Sequence, residues 1–202
     1  MAAKIRIYFE GDAKLKRGFA AFLASLREKA ASARIGWELV AGGNRHDAFE
    51  DFELALRNHP DDIIALLVDA EGQVTTDGPW EHLASLQDAA LHKPQGAKGE
   101  QAHLMVQVME SWFLTDRQVL AQYYGQGFAA GRLPGSSDVE SVPKERVIRS
   151  LVEATEQTKK GRYHETRHAP DLLASIDPAK VRAASPWCNR LFETIETIIE
   201  SP

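Results

Sequence analysis

Lys4 to Phe9 (KIRIYF) alternates polar and apolar positions over β-branched and aromatic side chains, which predicts a strand closed by Glu10, Gly11 and Asp12. Leu15, Phe19, Phe22, Leu23 and Leu26 then recur at three- and four-residue spacing, the pattern of an amphipathic helix ending near Ala31. Ile35 to Val40 reads as a second strand, closed by Gly42-Gly43-Asn44. Ala48 to Leu56 reads as a second helix, stopped near Asn58-His59-Pro60. Ile63 to Val68 (IIALLV) is an unbroken apolar run, as in a strand covered on both faces, and it ends abruptly at Asp69-Ala70-Glu71-Gly72. A short helix is expected over Trp80 to Ala90, and a fourth strand over His103 to Val108. Asp116 is placed to cap a helix running to Tyr124. Gly125 to Pro143 reads as a long loop. Helices are expected over Lys144 to Gln157, Asp171 to Ala184 and Pro186 to Glu200.

Alternation of strand and helix predicts an α/β fold, with an open, mainly parallel central sheet and helices on both faces. Residues 1–124 form the α/β core in this reading. Residues 125–202 form a helical extension packed on it, the two making one compact unit. There is no internal repeat and no low-complexity tract.

The 202 residues, 44% hydrophobic and 26% charged, have ordinary globular composition, which argues against disorder of the whole chain. With 24 basic and 29 acidic residues the formal charge is −5, which excludes a bulk polycation but allows a local basic groove. Cys188 is the single cysteine, so an internal disulfide and a cysteine zinc cluster are excluded and a reducing compartment is expected. Lys4 and Arg6 interrupt the N-terminal apolar positions and no run of 18 apolar residues occurs. No signal peptide or membrane span is therefore expected, and the location is read as cytoplasmic.

The candidate chemistry lies in acids just beyond strand ends: Glu10, the pair Asp69 and Glu71, and Glu110. In an open parallel sheet, ligands sit outside the carboxyl ends of the strands, so these carboxylates are expected to converge. Clustered carboxylates repel and raise one another's pKa values, and a divalent cation removes that cost. Hard oxygen ligands without Cys or His suit Mg²⁺ or Mn²⁺, ions that orient phosphate oxygens and activate water. Taken singly, each acid has a plain alternative as a solvated loop residue or helix cap.

Tyr8-Phe9-Glu10-Gly11 resembles the first motif of Toprim domains, and Leu67-Val68-Asp69-Ala70-Glu71 resembles their second, with Glu71 standing where Asp is usual. A likeness over nearly the whole chain is carried by GGNRHDAFEDF, ALLVDAEG, PWEHL, QAHLMVQVMESWFLTD, YYGQGF and KKGRYHETRHAPDLLASIDPAKVRAASP. By these segments the chain is similar to the bacterial domain-of-unknown-function family 4276, which is regarded as Toprim-like. The resemblance implies a Toprim-like sheet and a Mg²⁺-dependent nuclease acting on DNA or RNA. Glu10 would be a metal ligand or general base, Asp69 the principal ligand, Glu71 a second ligand, and Glu110 a further ligand or a carboxylate that orients the base. It further implies a role in phage defence beside a separate ATPase subunit, since the sequence has no Gly-x-x-x-x-Gly-Lys-Ser/Thr loop. The alternative is a non-catalytic subunit, binding nucleic acid or protein within a larger ATPase-containing complex.

Residues 144–168 reverse the sign of the chain, with seven Lys and Arg against four Glu. Lys160, Arg162, Arg167 and His168 are candidates to hold a phosphate backbone, with Tyr163 stacking on a base. A solvated helix face with ordinary charge pairs is the equal alternative. His164-Glu165-Thr166-Arg167-His168 spells H-E-x-x-H, the two-histidine pattern of zinc peptidases. The flanking Lys159-Lys160-Gly161-Arg162 is not the apolar context of such a helix. Pro170 is expected to stop the helix early, and a third ligand is not evident beyond Glu193 or Glu196. His103 is read as a structural histidine, Trp112, Phe113 and Trp187 as packing residues, and Gly42-Gly43-Asn44 as a turn or a phosphate contact.

Overall fold

The computed structural model describes residues 3–87 and 90–200. Strands β1 (Lys4–Phe9), β2 (Gly36–Ala41), β3 (Ile63–Asp69) and β4 (Ala102–Met105) form one sheet in the order β2-β1-β3-β4, every pair parallel. The alternation in β1 has a direct consequence. Ile5, Ile7 and Phe9 enter the core on one face, and Tyr8 enters the core on the other. β3 is flanked by β1 and β4 and covered on both faces. Ala65 and Leu67 point one way and Ile64, Leu66 and Val68 the other, so every position is apolar. Arg6 on the interior strand β1 is held by ion pairs, to Glu38 of β2 and, at 2.7 Å, to Asp62.

Helices α1 (Leu15–Phe22) and α2 (Ala24–Ser32) carry the chain from β1 to β2 over the first face. α3 (Arg45–Asn58) and α4 (Pro79–Ser85) cover the second face, joining β2 to β3 and β3 to β4. Beyond β4 come α5 (Arg117–Tyr124), α6 (Lys144–Thr155), α7 (Glu165–Ser175), α8 (Pro178–Ala184) and α9 (Pro186–Glu200), all contributing to the first-face core. α1 packs against α7 at close range. A Cβ added at Gly18 would stand 3.0 Å from both Leu173 Cβ and Pro170 O. Trp112 is fully buried, stacked on Phe22 with ring centroids 4.9 Å apart, in keeping with its reading as a packing residue.

From β1 the chain turns toward β2, and from β3 it turns the opposite way toward β4. The crevice between the carboxyl ends of β1 and β3 is therefore a topological switch point, where neither connection covers the sheet edge.

Several elements differ from the expected bounds. The first helix is divided at Leu23 (φ −96°, ψ 15°), and this bend lets Phe22, Leu23 and Leu26 all be buried. The fourth strand ends at Met105, not Val108. The Val106–Gln107 peptide is cis, and Gln107 is diverted to other partners, its C=O accepting from Glu71 N at 2.8 Å and its Oε1 from Lys144 N at 3.0 Å. Pro170 does not stop a helix but lies inside α7, buried at the contact with α1. The helix expected over 171–184 is two helices, because Asp177 accepts from Ala179 N at 2.9 Å and Pro178 starts a new first turn. The helix expected to reach Ala90 ends at Ser85, and residues 88 and 89 lie outside the described residues. Among the described residues no helix is long and apolar enough to cross a membrane.

Candidate metal centre

Glu10 follows the last residue of β1, and its N–H continues the ladder to Leu67 O at 3.0 Å. The next residue, Gly11, has φ +135° and exchanges two hydrogen bonds with Gly43, clamping the β1–α1 turn to the β2–α3 turn. A Cβ at Gly11 would meet Leu15 Cδ1 at 2.5 Å, so the tight turn that places Glu10 depends on glycine. Asp69 is the last residue of β3. Its N–H donates to Glu10 Oε2 at 3.1 Å, and its Oδ1 accepts from Met109 N at 2.9 Å. Glu71 has φ +63°, a left-handed conformation unusual for a non-glycine residue. That conformation accompanies its N–H bond to Gln107 O and an approach of its carboxylate to Arg45 (3.8 Å) and Lys144.

One carboxylate oxygen each of Glu10, Asp69 and Glu71 lies within 4.8 Å of the others, and all three residues are half-buried. Burial raises the pKa of Asp69 well above the ordinary carboxylate value, and the charges of Glu10 and Glu110 raise it further. Burial also raises Glu10, against the hydrogen bond from Asp69 N and the charge of Arg45. The Lys144 ammonium is raised despite its burial by its hydrogen bond to Glu71 and by the surrounding carboxylates. The two cations engage Glu71. Among the described residues, Asp69 Oδ2 and Glu10 Oε1 accept no hydrogen bond. A set of hard oxygen donors, two of them with free lone pairs and raised pKa values, fits a Mg²⁺-class dication and not a soft metal.

Glu110 stands apart from this trio. It is 5% exposed, and its Oε1 accepts from Tyr163 Oη at 2.8 Å. Burial raises its pKa, and the Tyr163 hydroxyl works the other way. Glu110 and Asp69 nevertheless line the same two cavities, of about 340 and 270 Å³, and Glu165 sits on the rim of both. Arg45, Lys144 and Glu165 thus join the site, although no strand-end pattern marks them. Lys144 and Glu165 are brought in by the starts of α6 and α7, and Arg45 by the start of α3 beside the Gly43 turn.

The basic candidates are not all free to meet a ligand. Tyr163 is 7% exposed with its hydroxyl on Glu110, so its ring is not free to stack on a base. His168 is 2% exposed and its Nδ1 accepts from His164 N at 3.0 Å, so it is a structural residue and not a phosphate contact. Arg162 pairs with Glu156, and the Lys160 ammonium lies 4.2 Å from the centre of the Tyr123 ring. Arg167 lines a cavity of about 860 Å³. The H-E-x-x-H pattern fails as a zinc helix for the same local reason. His164 precedes α7 with extended backbone, and the bond from its own N–H occupies one nitrogen of His168. Among the described residues, Glu10, Asp69 and Glu71 are the one group of three with metal-ligand geometry.

A family model described as "Domain of unknown function (DUF4276)" matches residues 13–196. Asp69, Glu71 and Glu110 lie inside the matched segment, and Glu10 lies just before it. No curated protein and no solved structure matches the chain.

Proposed function

The chain belongs to the DUF4276 family, and from the geometry of its strand-end acids we propose that it is a Mg²⁺- or Mn²⁺-dependent phosphodiester hydrolase acting on DNA or RNA. The observation that carries this reading is the convergence of Glu10, Asp69 and Glu71 within 4.8 Å at the switch point of a parallel sheet. These three residues would hold the cation, which when bound supplies charge neutralisation at the phosphate and a more acidic water. Glu110 is fixed by Tyr163 and has a raised pKa, which suits it to accept a proton from the attacking water. The Lys144 ammonium, beside Glu71, adds positive charge where the phosphate would sit. A part in phage defence and a separate ATPase subunit go with this reading.

One observation favours a second reading. Lys144 and Arg45 already neutralise Glu71, as they would in a binding module that uses no catalytic cation. Calorimetry with Mg²⁺ and Mn²⁺, followed by incubation with mixed DNA and RNA, separates the two. The hydrolase reading expects chelator-sensitive cleavage that falls about 100-fold or more in Glu10→Gln and Asp69→Asn. Absence of metal binding, or cleavage indifferent to both substitutions, refutes it.

A further inference from the structure

A cavity of about 860 Å³ opens where the start of α1 meets the start of α7. Its lining includes Lys14, Arg17, His164 and Arg167 against a single carboxylate, Asp171. Asp171 is paired with Arg17, itself in the lining, and accepts from the Tyr123 hydroxyl. Lys14 and Arg167 are exposed and, among the described residues, in no ion pair. In a chain of net charge −5 this is a concentrated reversal of sign. The cavity also neighbours the acid site. His164 lines both it and the 340 Å³ cavity, and that one shares Asp69, Glu110 and Glu165 with the cavity containing Glu10. Three neighbouring recesses that share lining residues, cationic at one end and acidic at the other, outline a trough.

We propose that this trough is the track for a phosphodiester strand, with Lys14 and Arg167 gripping backbone phosphates so that the next linkage lies over Glu10 and Asp69. The identification of the ligand as nucleic acid rests on the hydrolase reading. The grip itself does not, because it needs only phosphates and the two unpaired cations of this cavity, Lys14 and Arg167, whose lining does not include Lys160 or Arg162. The chemistry shared by DNA and RNA, one negative charge per linkage, is what such residues recognise, and neither base edges nor the 2′-hydroxyl are needed.

The test is fluorescence anisotropy of the whole chain in EDTA, with labelled 24-nucleotide single strands of DNA and of RNA over a salt series. A Lys14→Ala/Arg167→Ala variant is expected to bind about tenfold more weakly at moderate salt. Its dependence of log K on log salt should be shallower by roughly 0.7 per lost contact. The conservative pair Lys14→Arg/Arg167→Lys should retain wild-type binding, which separates lost charge from misfolding. Lys160→Ala/Arg162→Ala, a change of equal charge, should cost much less. The proposal is overturned if the wild type binds neither strand or if the first variant binds like wild type. It is equally overturned if the two alanine pairs cost the same, or if a four-nucleotide strand binds as tightly as the long one. Because binding is read without metal, a protein that binds but does not cleave refutes the hydrolase and keeps the trough. One that cleaves undiminished after loss of Lys14 and Arg167 refutes the trough alone.

Discussion

Replacing Asp69 by Asn should make the metal-free protein more stable and at the same time abolish its response to a divalent cation. Asn keeps the acceptor for Met109 N and removes only the charge. Two carboxylates with oxygens no more than 4.8 Å apart repel by at least about 3.5 kcal/mol at an effective dielectric constant near 20. Asp69 takes part in two such pairs, with Glu10 and with Glu71. Arg45 and Lys144 offset part of this, and Asp69 escapes the rest by taking up a proton, which caps the penalty. Protonating an ordinary Asp at pH 7 costs about 4 kcal/mol. The expected gain is therefore about 1–4 kcal/mol, a rise in Tm of roughly 3–12 °C for a domain of this size. In the wild type, a cation at a hundred times its Kd contributes about 2.7 kcal/mol, and Asp69→Asn should lose that increment. Scanning calorimetry in EDTA and in millimolar Mg²⁺ or Mn²⁺ reads both effects. A variant that melts lower than wild type in EDTA, or that keeps the cation-induced shift, refutes the assignment of Asp69 to a repulsive, metal-seeking cluster.

His103 is fully buried and next to Arg190 (3.2 Å), and burial together with that guanidinium pushes its pKa down to about 3. The unfolded chain, with a histidine pKa near 6.5, takes up the proton first, so this residue lowers stability as pH falls from 6.5 toward 3. The loss is about 1.4 kcal/mol per unit, or about 2 kcal/mol at pH 5. Urea titrations of wild type and His103→Gln at pH 7 and pH 5 should show a smaller loss in the variant, and equal losses would refute the assignment. Tyr163→Phe deprives buried Glu110 of its 2.8 Å donor, so it should cost about 1–3 kcal/mol, roughly 3–10 °C in Tm. A melt within 1 °C of wild type would show that the pair contributes nothing.

Much of the fold was legible because periodicity is local. The period of two in Lys4–Phe9 and the apolar run Ile63–Val68 mark β1 and β3, and the reading of Pro186–Glu200 coincides with α9. The reading failed where long-range contacts override local preference. Pro170 stays inside α7 because that helix is braced by α1, and Gln107 leaves the sheet for Glu71 and Lys144.

The same division runs through the site. Glu10, Asp69 and Glu71 could be named from the chain because parallel strands bring all their carboxyl ends to one edge, so an acid after each strand has nowhere else to be. The partners of those acids could not. Lys14 and Arg167 face one cavity only because Gly18 lets α1 and α7 come together. Tyr163 and His168 stand among basic residues in sequence yet are buried in the core. A hydrophobic pattern states that a helix has an inner face. Which other helix that face will meet is settled by side-chain packing between segments more than a hundred residues apart.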